Sequence, residues 1–296
     1  MERRTVELDR PIDLRMTLRA VTPKAVGRRP ALGCEWWMSR TPDGPASLLV
    51  EMAGEGVCGT AWGPGSGWVI ARLDRLVGAH DDPTRFRPGP GIVDRLHRRH
   101  RGLRLGRTDR VFEALLPTIL GQRVTSVEAT RSYRAIVRRF GSPAPGPVDG
   151  WVPPAADDVA GLDYADLHAL GVERSRASII IEAARRSRRL EAIVDMEDDA
   201  ADRRLRAVRG IGPWTSAYVR GAATGAVDAV PTGDYHLPDT VAWALAGEPR
   251  ADDARMLELL APYAGQRRRV LLLIGAEGIH APKYGPKTAP RDIRSM

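Results

Sequence analysis

The chain has 296 residues, 43% hydrophobic and 28% charged, and its 45 Lys+Arg against 37 Asp+Glu leave a net charge of +8. That balance excludes wholesale disorder and allows a sizeable core, in roughly two domains at ~150 residues each. Cys34 and Cys58 are the only cysteines, too few for a disulfide framework, a four-thiolate zinc site or a four-cysteine iron–sulfur cluster.

The first ten residues carry charges with no apolar stretch behind them, unlike a secretory signal. The longest uncharged run, Gly56 to Ala71, is too short and too rich in glycine to span a membrane. The expectation is a soluble monomer without a membrane partner, in a reducing cytoplasm and beside the nucleoid if the source is bacterial. The positive charge is almost all arginine, with Lys24, Lys283 and Lys287 the only lysines. The planar guanidinium suits phosphate, but a GC-rich gene gives the same bias. Charge alone therefore makes nucleic acid a candidate partner and no more.

Ile12 to Leu18 alternates apolar and polar residues, which predicts a half-buried strand. Cys34 to Met38, Ser47 to Met52 and Val57 to Trp62 read as three more, separated by Gly/Pro/Asp turns of the hairpin kind. Trp68 to Val77 reads as a helix burying Val69, Leu73, Leu76 and Val77. Residues 81–91, rich in proline and glycine, mark a boundary. Beyond it the period is helical: Val111, Leu115, Thr118 and Ile119; Tyr133, Ile136, Val137 and Phe140; Ala177, Ile180, Ile181 and Ala184. Gly141 to Pro154 reads as a long loop, and the basic, proline-containing end of the chain as mobile. The fold class is α+β: a small N-terminal antiparallel sheet with a helix (1–90), a larger all-α domain (91–278) and a basic tail (279–296).

The most informative stretch is Leu205 to Tyr218. A short helix runs into Gly210-Ile211-Gly212 and a second starts at Pro213, whose missing N–H costs nothing at a first helical position. Ile211 can plug the space between the helices. The two glycines leave backbone N–H groups open to a phosphate oxygen, with the next helix dipole behind them. Gly-x-Gly alone also fits a plain helical hairpin.

Leu205-x-x-Val208-x-Gly210-Ile211-Gly212-Pro213-Trp214-Thr215 resembles the helix-hairpin-helix of the DNA glycosylase superfamily. Val230-Pro231-Thr232-Gly233-Asp234-Tyr235 follows at that family's interval, with the acid 22 residues after Gly212. Ile119-Leu120-Gly121-Gln122-Arg123-Val124-Thr125 is similar to the segment that enters the duplex. Together the three span about Leu103 to Ile274, and the strand-rich front resembles the extra domain of the 3-methyladenine DNA glycosylase II (AlkA-type) branch. The helical part is thus expected to be an HhH-GPD domain.

The resemblance implies a monofunctional glycosylase of base-excision repair, hydrolysing damaged, alkylated purines from duplex DNA without a required cofactor. It places the catalytic acid at Asp234, a position that also suits a helix cap at the start of Tyr235 to Leu245. Asp228 sits too early, and Asp239 is expected to be exposed within that helix. Trp214 and Tyr218, four apart on one helix, are implied as pocket aromatics for a cationic base, and equally suit core packing. Lyase relatives carry a lysine where this chain has Trp214, and an indole cannot form an imine. Gln122 and Arg123 would contact DNA, the arginine filling the gap left by the extruded base or lying on an exposed loop. Gly210, Ile211, Gly212, Trp214 and Thr215 would contact the backbone. The carbonyls of Arg206, Val208 and Gly210 would hold a structural Na+ or K+. Gly275, where relatives can carry another tryptophan, implies a more open pocket. The basic run His97 to Arg107 reads as a solvated face more readily than as a phosphate track. A non-catalytic binder of distorted DNA and a glycosylase for hypoxanthine, uracil or oxidised bases remain as alternatives.

Overall fold

The computed structural model describes residues 1–22, 26–27, 33–282, 292 and 294. The chain opens with β1 (Glu2–Val6), α1 (Leu14–Arg19), β2 (Val26–Gly27), β3 (Cys34–Thr41), β4 (Gly44–Ala53) and β5 (Gly56–Trp62). α2 (Ser66–Ala71), α3 (Leu73–Leu76) and α4 (Ile92–Arg99) follow. Helices α5 (Val111–Leu120) and α6 (Ser126–Phe140) lead into β6 (Ser142–Pro143) and β7 (Gly150–Val152). The rest is helical: α7 (Ala156–Ala160), α8 (Tyr164–His168), α9 (Arg174–Arg185), α10 (Ser187–Glu191), α11 (Asp198–Arg206), α12 (Pro213–Ala223), α13 (Leu237–Ala246), α14 (Asp253–Leu260) and α15 (Arg267–Ala276).

The α+β expectation holds. A four-stranded antiparallel sheet in the order β1-β5-β4-β3 precedes a mostly helical remainder. β3 to β5 match the three strands expected between Cys34 and Trp62, joined by two-residue turns at Thr41↔Gly44 and Ala53↔Gly56. Three readings need correction. Ile12 to Leu18 is no strand but the approach to α1 and most of that helix, which buries Leu14, Thr17 and Leu18 at helical spacing; the Asp13 carboxylate accepts the Met16 N–H at 2.8 Å as its cap. Trp68 to Val77 breaks at Arg72 into α2 and α3, though all four predicted apolar residues are buried. Gly141 to Pro154 is not simply a loop, since β6 and β7 pair there and β7 pairs in turn with Val26–Gly27.

Three apolar cores result. One unites the N-terminal sheet with α1 to α3, from Val6 to Val77. A second fills the bundle of α5, α6, α9, α11 and α12. The third joins Phe86 and α4 to α13, α14 and α15. The helical region therefore has two cores, because the chain returns from α12 to cover α4. Two buried arginines tie the N-terminal unit down through ion pairs, one to an exposed carboxylate and one to a buried one. Arg104, fully buried, donates to Asp9 at 2.9 Å, and Arg269 pairs with the buried Asp81. Within the basic run Arg104 is thus internal and His100 is half-buried against Glu277 at 2.9 Å, whereas Arg98, Arg99 and Arg101 face solvent as expected, the first two paired with Asp94 and Glu277 at 2.8 and 2.7 Å. No helix among the described residues is long and apolar enough to cross a membrane. Most of the basic tail lies outside the described residues.

Candidate active site

The hairpin forms as its residues dictate. Gly210 has φ +91°, and a Cβ there would stand 2.4 Å from Ile179 Cδ1 on α9, so both backbone and space demand glycine. At Gly212 φ is −92° and a Cβ would meet nothing within 4 Å, so its side faces open space. Ile211 is 4% exposed and plugs the second core as expected. Its N–H donates to the Val208 carbonyl at 3.0 Å, closing the turn. The N–H groups of Gly210 and Gly212 donate to nothing among the described residues. They stand free at the N-terminus of α12, where the helix dipole favours an anion.

Side chains clamp the two hairpin helices together. Ser216 of α12 donates to Asp202 of α11 at 2.6 Å, and Arg206 donates to the same carboxylate at 3.1 Å. Arg220 pairs with Asp198 and donates to the Ser216 hydroxyl. Burial opposes the charge on Asp202, yet the hydrogen bonds from Ser216 and Arg206 and the Arg220 charge hold it below the usual carboxylate range.

Asp234 stands between the second and third cores. Its Oδ2 accepts the Trp214 indole N–H at 2.7 Å, from the first turn of α12. Its Oδ1 accepts the backbone N–H groups of His236 and Leu237 at 2.8 and 2.9 Å, at the start of α13. The acid therefore holds the N–H groups at the start of α13 as a capping side chain would, from two residues before the N-cap His236, and α13 begins at Leu237 rather than Tyr235. A carboxylate offers about four lone pairs, so these three donors leave one, on Oδ2, for a further partner. Gly233, at φ +82°, turns the chain into Asp234, and its N–H is held by Asp253 of α14 at 2.7 Å. The rival acids are committed elsewhere. Asp228 takes the Arg267 guanidinium at 2.9 Å, and Asp239, half-buried rather than exposed, takes Arg250 at 3.3 Å and the Ala251 N–H at 2.9 Å.

Trp214 and Tyr218 share a face, their ring centroids 4.8 Å apart and their planes at 63°. The rings meet edge to face, so they do not form two parallel plates. Tyr218 is 44% exposed, while burial of its hydroxyl and the Asp234 charge push its pKa up to about 12, keeping it a neutral donor at pH 7. Tyr235, beside the acid, is 86% exposed. Gln122 and Arg123 form the turn between α5 and α6. Arg123 is exposed and held at φ +56°, a left-handed backbone uncommon outside glycine. The Gln122 amide instead reaches into the hairpin, donating to the Gly210 carbonyl at 3.1 Å and to the buried Thr215 hydroxyl at 2.9 Å. The carbonyls of Val208 and Gly210 thus already accept one hydrogen bond each, and a Na+ or K+ bound there with Arg206 would share them. Gly275 is exposed, with open space where a side chain would stand. Two concave surfaces, of about 550 and 570 Å³, lie around Phe86 and along α6, and neither is lined by Asp234, Trp214 or Tyr218.

Residues 116–262, which include the turn, the hairpin and Asp234, match the model of the HhH-GPD superfamily base excision DNA repair protein. The chain belongs to this superfamily. Among HhH-GPD relatives, a DNA-3-methyladenine glycosylase of Bacillus subtilis (strain 168) is 32% identical over 127 residues, covering 41% of this chain and 42% of that protein. A second protein of the same organism is 27% identical over 135 residues, covering 44% of this chain and 46% of its own length. The matched segments span less than half of either relative. A 3-methyladenine DNA glycosylase from Archaeoglobus fulgidus superposes with a TM-score of 0.78 at 20% identity, covering 94% of this chain and 99% of that one. A Clostridium acetobutylicum 8-oxoguanine glycosylase/lyase bound to duplex DNA gives 0.69 at 14% identity, covering 93% and 98%. These two likenesses show a common fold. Within the HhH-GPD frame, the sequence did not announce the Trp214–Asp234 bond, the Asp202 clamp or Asp253. The one available signal was Asp252-Asp253 before a helical run, where a cap is expected and Asp252 supplies it, freeing Asp253 for Gly233.

Proposed function

We propose that this chain is a monofunctional DNA glycosylase of base-excision repair, hydrolysing the N-glycosidic bond of damaged, alkylated purines in duplex DNA. The supporting observation is the carboxylate of Asp234, oriented by three N–H donors with one Oδ2 lone pair to spare, next to a hairpin whose glycine N–H groups suit phosphate. The everted sugar sits with C1′ before that oxygen. As the C1′–N bond breaks, the bonding pair leaves with the base, and an alkylated cationic base departs neutral. The sugar gains oxocarbenium character, which the carboxylate stabilises. Water then adds to C1′ and gives up a proton, leaving an abasic site. The exposed faces of Trp214 and Tyr218 offer a cationic base its π surface. Backbone contact falls to Gly210 and Gly212 at the hairpin, since Thr215 is buried and turned inward to Gln122, with Arg123 entering the vacated stack.

The hydrolytic rather than lyase outcome is supported by Trp214 standing where an imine-forming lysine would be needed. The alkylated-purine preference is supported by the 3-methyladenine glycosylase relatives. The test is release of free base from duplexes carrying single alkylated purines, with Asp234→Asn alongside. The variant is expected to bind duplex as tightly as wild type and to lose ~10²-fold or more in single-turnover rate. Retention of full activity would remove Asp234 from the chemistry. Duplex binding without base release from any lesion would make the protein a binder of distorted DNA.

A further inference from the structure

We infer that Gln122 is a positioning residue that couples the duplex-entering turn to the catalytic acid, and that it does not read DNA through its amide hydrogens. The inference rests on the glycosylase reading above. The Gly210 carbonyl can only accept, so it fixes the Gln122 side chain with its nitrogen towards the hairpin. The same nitrogen donates to Thr215, a residue 2% exposed, so both amide hydrogens are spent inside the protein. Thr215 adjoins Trp214, whose indole N–H holds Asp234. A second, independent proximity runs in parallel: a Cβ on Gly121 would lie 3.6 Å from Trp214 Cη2, so the glycine side of the turn faces the same indole with little room between them. Arg123, next to Gln122, carries the left-handed backbone that exposes it. Arg123, Gln122, the hairpin, Trp214 and Asp234 are therefore one connected unit. Displacement of a base by Arg123 and placement of its sugar at Asp234 are set by a common geometry.

The consequence is substrate-dependent. When the damaged base is paired, the turn must enter the stack in register with the acid. When the base faces an abasic gap, extrusion needs no such help. The experiment compares single-turnover release of 7-methylguanine opposite cytosine with release opposite an abasic site. Gln122→Ala is expected to be about tenfold slower than wild type on the paired duplex, for the loss of two hydrogen bonds, and nearly unimpaired on the gapped one. Thr215→Val, which keeps side-chain shape and removes one acceptor, should show a smaller defect of the same kind, and the double variant should match Gln122→Ala. Equal slowing on both duplexes would mean general damage and would overturn the inference. So would a Gln122→Ala variant indistinguishable from a working wild type. A wild type that releases no base from either duplex would overturn the glycosylase reading itself, and the inference with it.

Discussion

Replacing Trp214 by Phe isolates one bond. The indole N–H donates to Asp234 Oδ2 at 2.7 Å, the shorter end of a charge-assisted contact. Phenylalanine keeps an aromatic ring against Tyr218 and deletes the donor. Asp234 then retains the His236 and Leu237 N–H groups on Oδ1, and both oppose loss of the cap. What it loses is the restraint on Oδ2, the oxygen that has a lone pair to spare. A hydrogen bond to a charged group contributes roughly 1.5–3 kcal/mol. Trp214 and Asp234 are both half-buried, so the lower end applies. At ~1.4 kcal/mol per tenfold, Trp214→Phe should slow single-turnover base release about tenfold. Duplex affinity should change by less than about threefold, because the ring face remains. The assay is quench-flow release of base from a methylated duplex at saturating protein, with affinity by fluorescence anisotropy. A wild-type rate would refute the positioning argument. A loss of affinity equal to the loss of rate would show that the ring acts by stacking alone.

The two hairpin glycines should separate folding from binding. Gly210→Ala forces a side chain onto Ile179 at a φ of +91° and should lower the thermal midpoint by several degrees, whereas Gly212→Ala has room, should leave the midpoint unchanged and should weaken duplex binding by crowding the phosphate. Asp202 makes stability depend on acid: its folded pKa is depressed, so its contribution is complete above the unfolded value of ~3.9 and lost as pH falls through the folded one. Urea unfolding of Asp202→Asn between about pH 6 and pH 2.5 should therefore give a flatter profile than wild type, and parallel curves would contradict this. Borohydride added during turnover should trap no covalent DNA adduct, because an indole stands at Trp214 where an imine-forming amine would be needed; a trapped adduct would restore the lyase reading.

The elements that could be read from the sequence were those whose signal is local. β3 to β5 alternate and are joined by tight turns, and their residues pair as neighbours in sequence. α1 escaped because Ile12, Leu14, Met16 and Leu18 satisfy a period of two while Leu14 and Leu18 also satisfy i, i+4. Thr17 decides the matter: it is 0% exposed, a position the alternating pattern assigns to solvent. β6 and β7 have two and three residues, and Val26 pairs with Trp151 far along the chain, so no local pattern existed to find them. Arg104 looked like one more cation in a basic run. Its burial follows from Asp9 and the carbonyls of Arg10, Pro11 and Gly78, which reach it only after the N-terminal sheet has docked.

The site divides the same way. Spacing put Gly210, Ile211, Gly212 and Asp234 in order, since backbone turns and an interval of loop are properties of the chain itself. The partnership between Trp214 and Asp234 is not, because it joins the helix of one core to the loop entering another. Yet the physics that forms it is general. An indole N–H that is partly removed from water needs an acceptor. At the first turn of α12, where the backbone offers donors rather than acceptors, a side chain must supply it. Asp234, brought alongside by the return of the chain to cover α4, is the carboxylate that does so. Had the two cores packed without the third closing over α4, Trp214 would face solvent and Asp234 would be a helix cap and nothing else. The catalytic proposal therefore stands on a tertiary event, the docking of α13 against α4 and α15, which the hairpin motif by itself does not encode.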